Sequence, residues 1–342
     1  MTPEPELTAP VDLCTPDGAR LNPASRGWSR QPLHRANLDG AWGRNKRWDY
    51  WAVLAGDLVV SAVYSDVDHL GLADVWWADL VSGETGGHGI AVRGAEGIDL
   101  PERPGTEPLR VDRDGLALAI TDDAEGTQLH ARWVEADGRP AALDVVVARP
   151  EGHESLNVVI PWSDEVFNFT SKHQARPATG SLVVGDQVRP IGAPDAVEAW
   201  GVLDVGRGRW PQEITWNWAG GAGRAEGHVV GLQLGGKWTA GTGFTENGLI
   251  VDGRLSKLGA ELTWDYDWNQ PLLPWHVVDP GGQLDAVLTP RFDKHTDQRG
   301  RKRSSEVHQV FGTWAGRLLT DDGLAVTFAD LPGFAEEARQ NW

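Results

Sequence analysis

One cysteine, Cys14, in 342 residues excludes an intramolecular disulfide and any cysteine-rich zinc site. Positive charge is also short. The 31 Lys and Arg stand against 49 Asp and Glu, a formal net charge of −18, which argues against nucleic-acid binding through a basic face and against adsorption to an anionic membrane. No apolar run approaches the length of a membrane span, so stable membrane insertion is not expected. The opening MTPEPELTAP has neither a basic start nor an apolar core; no signal peptide is read there and a cytoplasmic location is expected. Tyrosine and phenylalanine are scarce, at 3 and 7, whereas tryptophan reaches 18, the strongest anomaly of the composition. Tryptophan offers a large face, one N–H donor and strong cation–π contacts, so sugar rings, polyisoprenoid chains and cationic ligands are all compatible with it.

The 42 glycines and 21 prolines are spread along the chain without a collagen-like period, which fits many short strands and tight turns rather than long helices. Residues 1–13 are acidic and proline-rich and read as a flexible lead. In the segment that follows, Arg26, Arg30, Arg35, Arg44, Lys46 and Arg47 gather against the acidic trend, with Trp28, Trp42, Trp48 and His34 among them. Such a cluster fits either an ion-pair network or an anion-facing surface. From Trp48 to His153 short strands alternate with turn signals such as Asp114-Gly115 and Asp137-Gly138, an antiparallel meander suited to a sandwich or an up-and-down barrel. The series pauses between Pro177 and Ala199, which places one β-domain over 14–190 and a second over 191–342. The terminal LPGFAEEARQNW has the spacing of a short amphipathic helix.

The densest stretch runs from Asp204 to Asn247 and sets Arg207, Arg209, Trp210, Trp216, Trp218, Lys237 and Trp238 among glycines. Rings supply contact area, charges fix orientation and glycine permits close approach, so a ligand site is expected there. In ITWNWA, strand alternation puts Trp216 and Trp218 on one face, an arrangement that suits a packed core as well as a pocket wall. GGAGRAEG reads as a turn-rich break before HVVGLQLGGKWT. Glu246 is the leading candidate acid, with Lys237 and Trp238 near enough in sequence to tune it and Asn247 beside it; a plain ion-pair role is the competing reading. Asp204 is the second candidate carboxylate. Upstream, FNFTSKHQARPATG contributes Lys172 and His173, which as strand neighbours face opposite ways. Lys172, His34 and Trp48 join the candidate ligand-binding residues, and His173 joins the candidate catalytic ones.

No phosphate-binding loop, dinucleotide fingerprint, GxSxG elbow or HExxH is present. His173, His276, His295 and His308 are dispersed, none at short ligand spacing, so neither a metal nor a cofactor is expected.

The motifs RGWSRQPLHRANLDGAWGRNKRWDYW, FTSKHQARPATG, DVGRGRWP with TWNWA, GGKWTAGTGFTENG and GFAEEARQNW together resemble a bacterial family known as domain of unknown function 2804. More distantly the pattern is similar to tandem lipocalin-like proteins, which include carotenoid hydratases and tocopherol cyclases. That resemblance implies a mainly β fold of two lipocalin-like antiparallel barrels or half-barrels, here with a short C-terminal helix, and an aromatic-lined cavity for an apolar substrate. The expected activity is that of a hydratase, isomerase or cyclase working by carboxylic acid protonation on an apolar or amphipathic small molecule. Two alternatives stay open: a lipid- or glycan-binding protein without turnover, and a carbohydrate-active enzyme using paired carboxylates.

Overall fold

The structure, a computed structural model, describes residues 4–194, 196–300 and 303–341. The expected tight turns form where the sequence supplies them. Asp114-Gly115 and Asp252-Gly253 both hold positive φ at two successive positions, as a two-residue hairpin turn requires. Strands between such turns assemble into two curled antiparallel half-barrel sheets. In the first, the meander Asn45–Ala55, Leu58–Asp66, Leu70–Asp79 and Thr85–Arg93 is joined through Ala199–Arg209 to Phe167–Val184, and beyond that to the strands of residues 109–148. The second sheet places Ala325–Asn341 between Glu213–Ala225 and Ser304–Leu319, with the hairpins of 228–258 on one flank and 263–299 on the other. The change of sheet falls between Arg209 and Glu213, beyond the expected boundary at 190/191.

The interior of each half-barrel is filled with side chains. Trp51, Trp77, Trp133, Val60 and Leu143 pack inside the first, and Trp275, Trp314, Leu232 and Phe328 inside the second. Alternate residues of the same strands point outward, and those outer faces meet: Ala52, Leu54 and Val202 of the first sheet pack on Trp218, Phe311 and Phe334 of the second. A second seam joins Trp28, Val158 and Ile160 to Trp238, Ile250 and Leu255.

The structure departs from the sequence expectation at three places. Residues 331–341 are not a helix but the end of the Ala325–Asn341 strand, which is hydrogen-bonded to neighbours on both sides. Sheet pairing overrides the local helical spacing, and alternation then separates Phe334 and Glu336 from Ala335 and Glu337. Trp342 lies outside the described residues. GGAGRAEG is mostly strand, and the turn is Glu226-Gly227 alone. Residues 4–13, where a flexible lead is expected, make specific contacts: Val11–Asp12 pairs with His34–Arg35, Leu13 is fully buried, and Glu4 reaches Lys257 at 2.7 Å. Residues 1–3 fall outside the described part. Several arginines of the basic segment are ion-paired, Arg26 with Asp164, Arg30 with Glu154 and Arg35 with Asp12.

Candidate functional site

Where the two outer faces diverge they leave a cavity of about 250 Å³. It lies between the sheets, not inside either barrel. Strand alternation on Phe167–Val184 presents Asn168, Thr170 and Lys172 to it, and the partner strand Ala199–Arg209 sets Asp204 directly across from Lys172. The second sheet adds Trp216, Trp218, Gln309 and Glu336, and the connection after His228–Gly236 adds Trp238 and Glu246.

Tryptophans make the wall. Trp210 stacks on Trp238 with centroids 5.3 Å apart and planes within 7°, while Trp48 and Trp216 meet Trp210 edge-on at 5.3 and 5.6 Å. Two glycines make this packing possible. A Cβ at Gly206 would stand 2.0 Å from the Trp48 ring, and one at Gly235 would stand 2.2 Å from the Glu246 side chain.

Charge is concentrated at one end. The Lys172 ammonium lies 2.8 Å from Asp204 and 3.1 Å from Glu246, and 4.5 Å from the centroid of the Trp218 ring. Trp48 and Thr170 donate to Asp204 at 3.2 and 3.3 Å, and the Trp238 indole N–H donates to Glu246 Oε1 at 2.5 Å. Burial disfavours the Lys172 charge, but the two carboxylates outweigh it and hold its pKa above the ordinary lysine value. Burial acts the other way on Glu246, raising it to about 7 against the opposing pull of Lys172. Glu336 is likewise raised by burial to about 7; it accepts hydrogen bonds from Trp216 at 2.7 Å and Gln309 at 2.9 Å. The cavity therefore carries two buried carboxyl groups able to exchange a proton near neutral pH.

Eight of the residues singled out in the sequence line this cavity: Glu246, Asp204, Lys172 and Trp48, and the tryptophans 210, 216, 218 and 238. The others point elsewhere. Arg207 and Arg209 alternate to the opposite face from Asp204, where Arg207 pairs with Asp49 at 2.7 Å and Arg209 binds Asn45 and the carbonyls of Gly18, Ala19 and Asp39. Lys237 is exposed, away from the cavity, and pairs with Glu337 at 2.6 Å. Asn247 spans Gly235 N and Ala260 O, a structural bridge. His173 faces away from Lys172, is hydrogen-bonded to Ser171 at 3.0 Å, and burial holds it well below the ordinary histidine range. His34 is fully buried against Phe169, bonded to Ser25 O at 2.9 Å, and burial lowers it to about 4. The sequence gives little sign of Glu336, Gln309 or Tyr50 as cavity residues; reading GFAEEARQNW as a strand would have put Glu336 and Glu337 on opposite faces.

Of the four dispersed histidines, His295 and His308 do meet across a strand pair, near Glu306. Their rings lie parallel within 3° at 4.1 Å, so the nitrogen lone pairs run in parallel planes and would have to turn to converge on an ion. His308 is held by Asp293 at 2.8 Å.

Fold and site thus define a protein of two curled β-sheets with an aromatic, carboxylate-bearing cavity at their junction. The chain belongs to the family described as domain of unknown function DUF2804, whose model matches residues 4–342. No curated protein matches it in sequence. Among solved structures, it is similar to kievitone hydratase from Nectria haematococca at 11% identity over 86% of this chain and 88% of that one, with a TM-score of 0.49. It is also similar to CghA with Sch210972, at 14% identity over 88% and 90% of the two chains and a TM-score of 0.45. No helix among the described residues is long and apolar enough to cross a membrane.

Proposed function

We propose that the cavity binds an apolar or amphipathic small molecule and that the Glu246 carboxylic acid protonates it, making the protein a hydratase, isomerase or cyclase. The observation that carries this reading is a fully buried carboxyl group, raised to about 7, facing an aromatic cavity and held by one ammonium and one indole N–H. Proton transfer to a substrate carbon leaves a carbocation on the substrate and a carboxylate on Glu246. Lys172 and the Trp238 N–H stabilise that carboxylate, and the tryptophan wall together with the other acids of the cavity stabilises the cation. Glu246 then regains its proton, from the attacking water in a hydration or from the adjacent substrate carbon in an isomerisation or cyclisation.

A second reading, a binding protein without turnover, draws support from Glu246 Oε1 already accepting from Trp238 and from Oε2 being paired with Lys172 at 3.1 Å. Glycoside cleavage draws less, because Asp204, which shares Lys172 with Glu246, is also held by Trp48 and Thr170. The test is to extract the molecule that co-purifies with the protein, return it to the protein in heavy water and follow deuterium on carbon by mass spectrometry. The acid reading expects incorporation by the parent and its loss in Glu246→Gln. Equal incorporation by both would assign Glu246 to structure.

A further inference from the structure

We infer that the ligand is a neutral, mostly apolar molecule carrying a hydrogen-bond donor and acceptor side by side, as in a lactam, and that the Asn168 carboxamide recognises the pair. This rests on the cavity being the binding site, but not on the acid role of Glu246. Asn168 is fully buried and lines the cavity, and neither its Oδ1 nor its Nδ2 has a hydrogen-bond partner. Buried polar side-chain atoms are overwhelmingly partnered, and a carboxamide left with both ends free inside a folded core is a group that awaits something.

The other acids of the cavity do not fill that need. Asp204 is engaged by Lys172, Trp48 and Thr170, and Glu336 by Trp216 and Gln309. The register places Asn168 opposite Gly208, which has no side chain to offer. Turned toward the adjoining cavity, the free carboxamide presents one acceptor and one donor end, the complement of an N–H next to a C=O. An anion suits the site poorly, since Lys172 already faces two carboxylates and Glu336 adds a third acid to the wall. A cation would satisfy the carboxamide oxygen alone. A volume of about 250 Å³ is at the small end for ligand pockets, which fits a monocyclic or bicyclic body against the tryptophan faces.

The experiment compares 2-quinolinone, a bicyclic lactam, with naphthalene, which has the same fused-ring outline and no polar edge. Binding to the parent, to Asn168→Leu and to Asn168→Asp is measured by equilibrium dialysis. The parent is expected to prefer the lactam by about tenfold, and both variants to lose that preference. Asn168→Leu should bind naphthalene no more weakly than the parent and melt no lower, because it removes an unpartnered amide. A parent without preference, or a preference that survives in a folded variant, overturns the assignment of Asn168. If the parent binds neither probe, this inference and the ligand reading of the cavity fail together. A lactam preference in the parent combined with normal deuterium incorporation by Glu246→Gln would leave Asn168 assigned and remove only the acid.

Discussion

Replacing Lys172 by methionine tests the charge balance on which the site depends. The lysine side chain lines the cavity and is buried, and methionine keeps most of its apolar volume while removing the ammonium that serves both Asp204 and Glu246. Removing one partner of a buried ion pair typically costs about 3–5 kcal/mol, because the remaining charge is left without compensation. The cost should depend on pH. Glu246 titrates near 7 in the folded parent and near 4.5 when unfolded, so over this interval the folded state holds an extra proton and stability falls as pH rises through the folded value. Without Lys172 the folded value moves higher still, and the variant keeps losing stability above pH 7 where the parent no longer does. A tenfold gain in the proton affinity of Glu246 corresponds to about 1.4 kcal/mol. Urea unfolding of parent and variant at about pH 5 and about pH 8 should therefore show a stability difference larger at the higher pH by about 1.4 kcal/mol. An equal difference at both values would mean that Glu246 does not sense Lys172, and the account of the site's electrostatics would be wrong.

Four other outcomes follow from the same geometry. If Glu246 is the proton donor, turnover of the identified substrate should fall about tenfold per pH unit above 7, and Glu246→Gln should lower kcat by about 10²–10⁴ while folding normally. Gly235→Ala would set a methyl group 2.2 Å from the Glu246 side chain; calorimetry should show a loss of about 1–3 kcal/mol, and an unchanged melting temperature would contradict the close approach. Gly206→Ala should displace the Trp48 ring and its hydrogen bond to Asp204, visible as a changed tryptophan emission spectrum and weaker probe binding. Deleting residues 1–13 should lower the melting temperature markedly, because it leaves the buried Lys257 without Glu4 and uncovers the Phe167 and Phe169 cluster that Leu13 seals; a fully stable truncated protein would refute this.

Much of the site is legible in the sequence because strand alternation is a local rule. It places Trp216 with Trp218, separates Lys172 from His173, and would have separated Asp204 from Arg207 and Arg209 had their strand been recognised as one. Composition and turn chemistry likewise determine a β-rich chain, since Asp-Gly pairs close hairpins wherever alternating apolar residues flank them. What alternation cannot supply is the partner across the strand or across the sheets. Lys172 meets Asp204 because residues 167–173 and 203–209 pair in one register, which shifts only beyond His173, and Glu246 reaches the same ammonium because Gly235 leaves room for its side chain. The C-terminal segment departs from its local pattern for the same reason: helical spacing is a local preference, and two flanking strands outweigh it. Glu336 enters the cavity only through that pairing. The sequence by itself determined which residue types were available and which faces they shared; the packing of two outer sheet faces decided which of them enclose a cavity, and burial there decided that two ordinary carboxylates hold their protons near neutrality.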